Sequence, residues 1–323
     1  MDLIYCGIDE AGYGPMFGPL CVGMAAFRVR GWEPDGHAPD LWKLLSKGVC
    51  RSGGDKRGRV AIADSKKLKL ANSLKTKHPL THLERGVLSM LAAAEEKSVE
   101  DDTALFERLG VELEPHGWYG GAALGLPLSS TQDQIGIAAN IVARAMAQGG
   151  VELVALRCVT VCEGAFNERV RECGSKAAVS GGVVAALMGE ASRQWGTDST
   201  LRLVCDRQSG RTDYEDFVRP ALGEDFETLE QSARASRYAA RDGRDVGALF
   251  IPECEDHHLP VALASMTAKL VRELAMTRFN RYWSGRSPDL KPTAGYTTDA
   301  RRWLRDAEGV VGGRERAEMV RIA

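Results

Sequence analysis

Two β-forming apolar runs open the chain, residues 3–8 (LIYCGI) and 19–29 (PLCVGMAAFRV), and between them lie only Asp9, Glu10 and the glycine-rich segment AGYGPMFG. Short apolar runs bounded by glycines read as neighbouring strands joined by a turn. Two adjacent carboxylates at a strand end, beside a turn that lets another backbone come close, suit a hard cation such as Mg²⁺, which prefers oxygen ligands. Neighbouring side chains of a regular strand face opposite ways. Both acids therefore reach one site only if the chain leaves its pleat between Gly7 and Gly12.

The rest of the chain alternates similarly. Residues 31–58, with Pro34, Pro39 and Gly53-Gly54, read as loop with one helical turn near 41–45. VAIA at 60–63 reads as a short buried strand or an extended lead-in. Asp64-Ser65 is an N-cap pair opening a helical pattern that breaks at Pro79 and resumes through Leu83, Val87, Leu88 and Leu91. An apolar stripe of Ile135, Ala138, Val142, Ala145 and Met146 predicts a helix over 132–148. Strands are expected at 153–162 and 201–205 with a helix at 183–195 between them. A last helix runs from Pro260, suited to a first-turn position, to about Trp283. This order predicts an α/β fold with a mixed central sheet flanked by helices, in a single domain over 1–323. Insertions are expected near 95–130 and 158–200, and a helical part over about 260–323.

The net charge of −2 hides an asymmetry. Residues 43–77 hold eleven Lys/Arg against Asp55 and Asp64, a net +9, while 95–114 hold two against eight acids, a net −6. A basic segment attracts polyanions locally, over a screening length of ~8 Å, whatever the global charge; its plain alternative is a solvated loop. The eight cysteines read as reduced thiols. With no basic leader before an apolar stretch and no run of ~18 apolar residues, the chain is expected in the cytoplasm, away from membranes.

Two further acids stand out. Asp206 closes the apolar strand LRLVC, where α/β sheets bind ligands, although turn-starting is its ordinary role. Glu273 lies within ~60° of the helical stripe Leu263, Met266, Leu270 and Leu274, so it needs a metal or a partner, and Lys269 one turn earlier is the obvious one. The glycine spacing misses the dinucleotide fingerprint, and neither a phosphate-loop motif nor a Gly-x-Ser-x-Gly elbow occurs. The Cys158, Cys162, Cys173 set and the Cys254, His257, His258 set lack zinc spacing.

Taken in order, these segments resemble the type 2 ribonucleases H, ribonuclease HII and HIII. The resembling segments are GIDEAGYGPMFGPL (7–20), ADSKKLKL (63–70), the helix around Asn140-Ile141, LVCDRQSG (203–210), HLPVALASMTAKLVRE (258–273) and GYTT (295–298). The resemblance implies a ribonuclease H-like fold and endonucleolytic cleavage of RNA in RNA/DNA hybrids or ribonucleotide-containing DNA. It further implies 5′-phosphate and 3′-hydroxyl ends and a monomer using two Mg²⁺ or Mn²⁺ ions. Carried over, Asp9, Glu10, Asp206 and Glu273 are the catalytic, metal-holding acids. Gly12, Tyr13, Gly14, Lys66, Lys67 and Tyr296 are the nucleic-acid contacts.

Departures qualify the match. Tyr13 stands where ribonuclease HII has arginine, and Glu273 where it has aspartate, which with Phe17-Gly18-Pro19 leans toward HIII. HIII enzymes carry a domain before the first motif, and this sequence starts eight residues before Asp9. The rival expectations are a nuclease of the same fold acting on DNA junctions and a nucleic-acid-binding protein without catalysis.

Overall fold

The computed structural model describes residues 2–33, 38–95, 97–208 and 210–322; Pro34 and Ser209, named above, lie outside them. Strands β1 (Leu3–Ala11) and β2 (Leu20–Val29) are followed by α1 (Leu41–Leu44), the two-residue strands β3 (Val49–Cys50) and β4 (Val60–Ala61), and α2 (Ser65–Leu68). Next come α3 (Thr81–Glu95), α4 (Asp102–Leu109), α5 (Gln132–Gly149), β5 (Val151–Val161), α6 (Glu163–Cys173), α7 (Lys176–Trp195) and β6 (Thr200–Asp206). The last third holds α8 (Glu215–Leu222), β7 (Phe226–Gln231), β8 (Ser236–Ala240) and β9 (Val246–Ile251). A 3₁₀ turn (Cys254–Asp256), α9 (Leu259–Arg286), α10 (Thr297–Asp306) and α11 (Gly313–Met319) complete it.

Seven strands form one mixed sheet in the order β5-β2-β1-β6-β9-β8-β7. β1 runs antiparallel to β2 and parallel to β6, and β6 runs parallel to β9. The expected mixed sheet flanked by helices is present. Alternation along β1 decides which layer each side chain meets: Leu3 and Tyr5 pack with α3, α5 and α9, whereas Ile4, Cys6 and Ile8 pack with α7 and α8.

α9 lies against the sheet backbone itself. A Cβ on Gly7 would sit 2.2 Å from Val261 N, and one on Gly23 would sit 2.1 Å from Ala264 O, so only glycine admits the helix this closely. Among the described residues no helix is long and apolar enough to cross a membrane.

The stretch 95–130, whose acidic first part and Gly/Pro-rich second part read as an excursion from the core, is packed into it. Leu105, Phe106, Leu109, Trp118 and Tyr119 are buried, and Asp102 accepts a two-pronged bond from Arg278 of α9 at 2.6 and 2.7 Å. Buried Glu84 of α3 accepts the N–H of Ser129 at 2.9 Å. Of the acids in this stretch, Asp101 caps α4 by accepting the N–H of Ala104 at 2.8 Å and Asp102 is paired internally, while Glu95, Glu100, Glu107 and Glu112 are exposed. After Asp64-Ser65 the helix lasts one turn only, and α3 begins two residues after Pro79. All eight cysteines are free thiols, with only Cys173 exposed.

Candidate active site

The site forms where the parallel ladder between β1 and β6 ends, at Ile8 and Cys205. The next residues, Asp9 and Asp206, project from the carboxyl edge of the sheet. The chain does not leave its pleat to achieve this: β1 stays paired with β2 through Asp9↔Gly23, Glu10↔Val22 and Ala11↔Cys21. Asp9 and Glu10 reach one place because they stand past the last β6 partner, not because the strand breaks. The N–H of Glu10 donates to Asp9 Oδ1 at 2.8 Å, holding that carboxylate along the strand end.

β9 then delivers a fourth acid. Glu253 takes a left-handed conformation, φ 52°, uncommon for a residue with a side chain and costly in backbone strain. That turn brings the N–H of Cys254 to Asp206 Oδ1 at 3.0 Å and leads into the 3₁₀ turn carrying Glu255. Glu255 is buried, and its Oε2 has no hydrogen-bond partner among the described residues.

Electrostatics joins these four groups. Burial, then the neighbouring Glu10, raises the Asp9 carboxyl well above the usual range, partly offset by a hydrogen bond from Ser265. Burial and then Asp206 push Glu10 up to about 7. Burial also raises Asp206, against N–H donors from Cys254 and Arg207, and raises Glu255, with Asp206 the next cause. Lys66 is the cation whose charge acts on Glu10, Asp206 and Glu255. Four acids repelling one another around a single lysine, one with an unsatisfied buried oxygen, are a donor set suited to hard divalent cations. Among the described residues no group of three or more His, Cys, Asp or Glu side chains is so placed that it could hold a metal ion as it stands.

Glu273 does not join them. It lies eight residues beyond Ser265 on α9, about 12 Å along a helix, and is held by Lys269 at 3.1 Å, Arg272 at 3.8 Å and Lys69 at 3.9 Å. Its partner is the lysine one turn back, so Glu273 is corrected from metal-holding acid to ion-pair residue. Glu255 takes its place in the cluster. No periodicity marks Glu255 in the sequence: it follows the apolar strand VGALFI by four residues, inside a three-residue turn.

The Asp64-Ser65-Lys66-Lys67 segment braces the site. Asp64 caps α2 by accepting Lys66 N–H at 2.8 Å, and Ser65 Oγ lies 3.0 Å from Ser265 Oγ, one step behind Asp9. Lys66 and Lys67 diverge in role. Lys67 is tied to both oxygens of Asp256 at 2.9 and 3.0 Å, whereas Lys66 is exposed and makes no ion pair among the described residues.

The glycine turn lies beside the acids. Gly12 has φ 90°, and a Cβ on Gly14 would meet nothing within 4 Å. Tyr13 and Tyr296 are 42% and 47% exposed, and Arg272 and Lys269 lie over the Tyr296 ring at 5.3 and 5.8 Å from its centroid. The N–H groups of Met16 and Phe17 donate to Gly295 O at 2.8 and 3.2 Å, which joins the turn to the loop bearing Tyr296. Beneath the turn, Gly18 N–H donates to buried Glu163 at 2.8 Å.

No protein-family model matches the chain, and no curated protein matches it by sequence. It is similar to the structure titled as the PCNA:RNase HII complex from Archaeoglobus fulgidus, at 12% identity and TM-score 0.47, over 99% of this chain and 94% of that one. Ribonuclease H2 from Pyrococcus horikoshii OT3 is matched at 14% identity and TM-score 0.47, over 99% and 92%. Bst-RNase HIII in complex with Mn²⁺ is matched at 13% identity and TM-score 0.42, over 99% of this chain and 66% of that one. These neighbours are of the family that the motifs resemble.

Proposed function

We propose that this chain is a divalent-cation-dependent endonuclease that hydrolyses the RNA strand of RNA/DNA hybrids. Asp9, Glu10, Asp206 and Glu255 are its metal-holding acids, and the products carry 5′-phosphate and 3′-hydroxyl ends. The observation that carries the reading is the convergence of these four mutually repelling carboxylates, two buried and two half-buried, at one end of the sheet beside an open glycine turn. A pair of Mg²⁺ or Mn²⁺ ions, when bound, supplies an activated water and screens the phosphate charge.

The chain's own residues do the rest. Ser265 orients Asp9, and the Cys254 N–H fixes Asp206. Lys66 meets a backbone phosphate and draws the polyanion to an otherwise repulsive site. The amides of Tyr13 and Gly14 face a ribose, where contact with the 2′-hydroxyl separates RNA from DNA. Tyr296 stacks on a sugar or base next to the cut.

Incubation of the purified protein with Mn²⁺ or Mg²⁺ and three labelled duplexes tests this. A long hybrid is cut in its RNA strand, DNA containing one ribonucleotide reports junction preference, and plain DNA stays intact. Cleavage of DNA alone, or hybrid binding without any metal-dependent product, refutes the reading.

A further inference from the structure

One buried guanidinium holds the glycine turn from beneath. Arg321 is 2% exposed; its Nη1 donates to Gly12 O and, at 3.5 Å, to Gly18 O, and its Nη2 donates to Tyr13 O at 3.3 Å. Its Cζ lies 3.7 Å from the ring centroid of Phe166, and its backbone N–H donates to Met16 O at 2.9 Å. Asn167 of α6 secures both flanks, donating to Val320 O at 2.8 Å and accepting from Ile322 N–H at 2.7 Å. Segment 320–322 is therefore fastened to α6 and fastens the turn in its place.

The consequence follows from peptide geometry. In a trans peptide the C=O and the next residue's N–H point in opposite directions within one plane. Drawing the carbonyls of Gly12 and Tyr13 onto Arg321 therefore aims the N–H groups of Tyr13 and Gly14 away from it. Those two amides make no hydrogen bond among the described residues. We propose that Arg321 is a positioning residue that presents the Tyr13 and Gly14 amides to the ribose of the RNA strand. The inference rests on the nuclease reading above and adds how that site recognises its substrate. A lysine is no substitute: one ammonium on a single stem lacks the planar fork that spans several carbonyls.

Arg321→Lys and Asn167→Ala test it in the full-length chain, by steady-state cleavage of a hybrid together with melting temperature. Loss of one charge-assisted bond predicts a KM raised about tenfold for Arg321→Lys, with kcat within about threefold. Asn167→Ala, which loosens the strap without touching the turn, shifts KM the same way by less. Preference for binding hybrid over plain DNA falls in parallel. A lowered melting temperature with unchanged KM in both variants, or a fall in kcat at constant KM, overturns the proposal. A wild-type protein that cuts no hybrid refutes the nuclease reading, whereas an active wild type with kinetically unaltered variants refutes this inference alone.

Discussion

The backbone N–H of Cys254 donates to Asp206 Oδ1 at 3.0 Å, and this bond fastens the end of β6 to the turn that carries Glu255. Two acids 49 residues apart in sequence are thereby brought into one electrostatic cluster with Asp9 and Glu10. Glu255→Gln is predicted to lower metal-dependent cleavage by at least ~100-fold, beyond the 10–100-fold typical of losing an outer partner of a metal ligand. The same change raises the melting temperature measured in EDTA, because it removes a repelling buried charge.

The cluster also fixes a pH dependence. These carboxyls sit above their ordinary pKa in the folded state, so the unfolded chain releases its protons first. Their unfavourable contribution is absent below the ordinary carboxylate range and grows as pH rises toward the folded value, about 7 for Glu10. Without metal, the melting temperature is expected to fall between pH 5 and about 7.5. The fall is smaller in Glu10→Gln. Mn²⁺ at 100 times its Kd adds about 2.7 kcal/mol of stability at the upper end of that range, and less at the lower end where the acids are protonated, as differential scanning fluorimetry will register.

Lys66 and Lys67 are neighbours with different tasks. Lys66→Ala is predicted to weaken hybrid binding and reduce the salt slope by about one. Lys67→Ala, which frees Asp256, leaves that slope nearly unchanged. Fluorescence anisotropy across a salt series distinguishes them, and equal slopes for both would remove Lys66 from the interface.

The close seat of α9 predicts a stability cost. Gly23→Ala places a methyl 2.1 Å from Ala264 O and is expected to destabilise by ~1–3 kcal/mol, the range for overpacking. Because the helix carries Ser265, cleavage falls as well. Asp102→Ala strands the buried Arg278 guanidinium and is expected to cost ~3–5 kcal/mol in urea titration. A loss under 1 kcal/mol there would return residues 95–130 to the status of a loose excursion.

How much of this was legible in the sequence differs by element. β1, β2, β5, β6, α5 and α9 declared themselves because each buries a stripe or run of the right period. Asp9, Glu10 and Asp206 were legible because each ends such a run. Glu255 was not: it sits in a three-residue turn without periodicity, and its relevance depends on β9 lying beside β6. Glu273 drew attention through helical phase, which marks a carboxylate needing a partner but cannot choose between a cation on the protein and a bound metal. β7 is a charged, exposed edge strand with no apolar alternation to announce it. The acidic excess at 95–114 gave no sign that Asp102 had Arg278 as its partner 176 residues later.

Calorimetric titration of Mn²⁺ into the wild-type protein, Glu255→Gln and Glu273→Gln tests the central claim most directly. Binding that is lost or sharply weakened in Glu255→Gln and retained in Glu273→Gln is the predicted result. Unaltered binding in Glu255→Gln, with loss in Glu273→Gln, would contradict the site described.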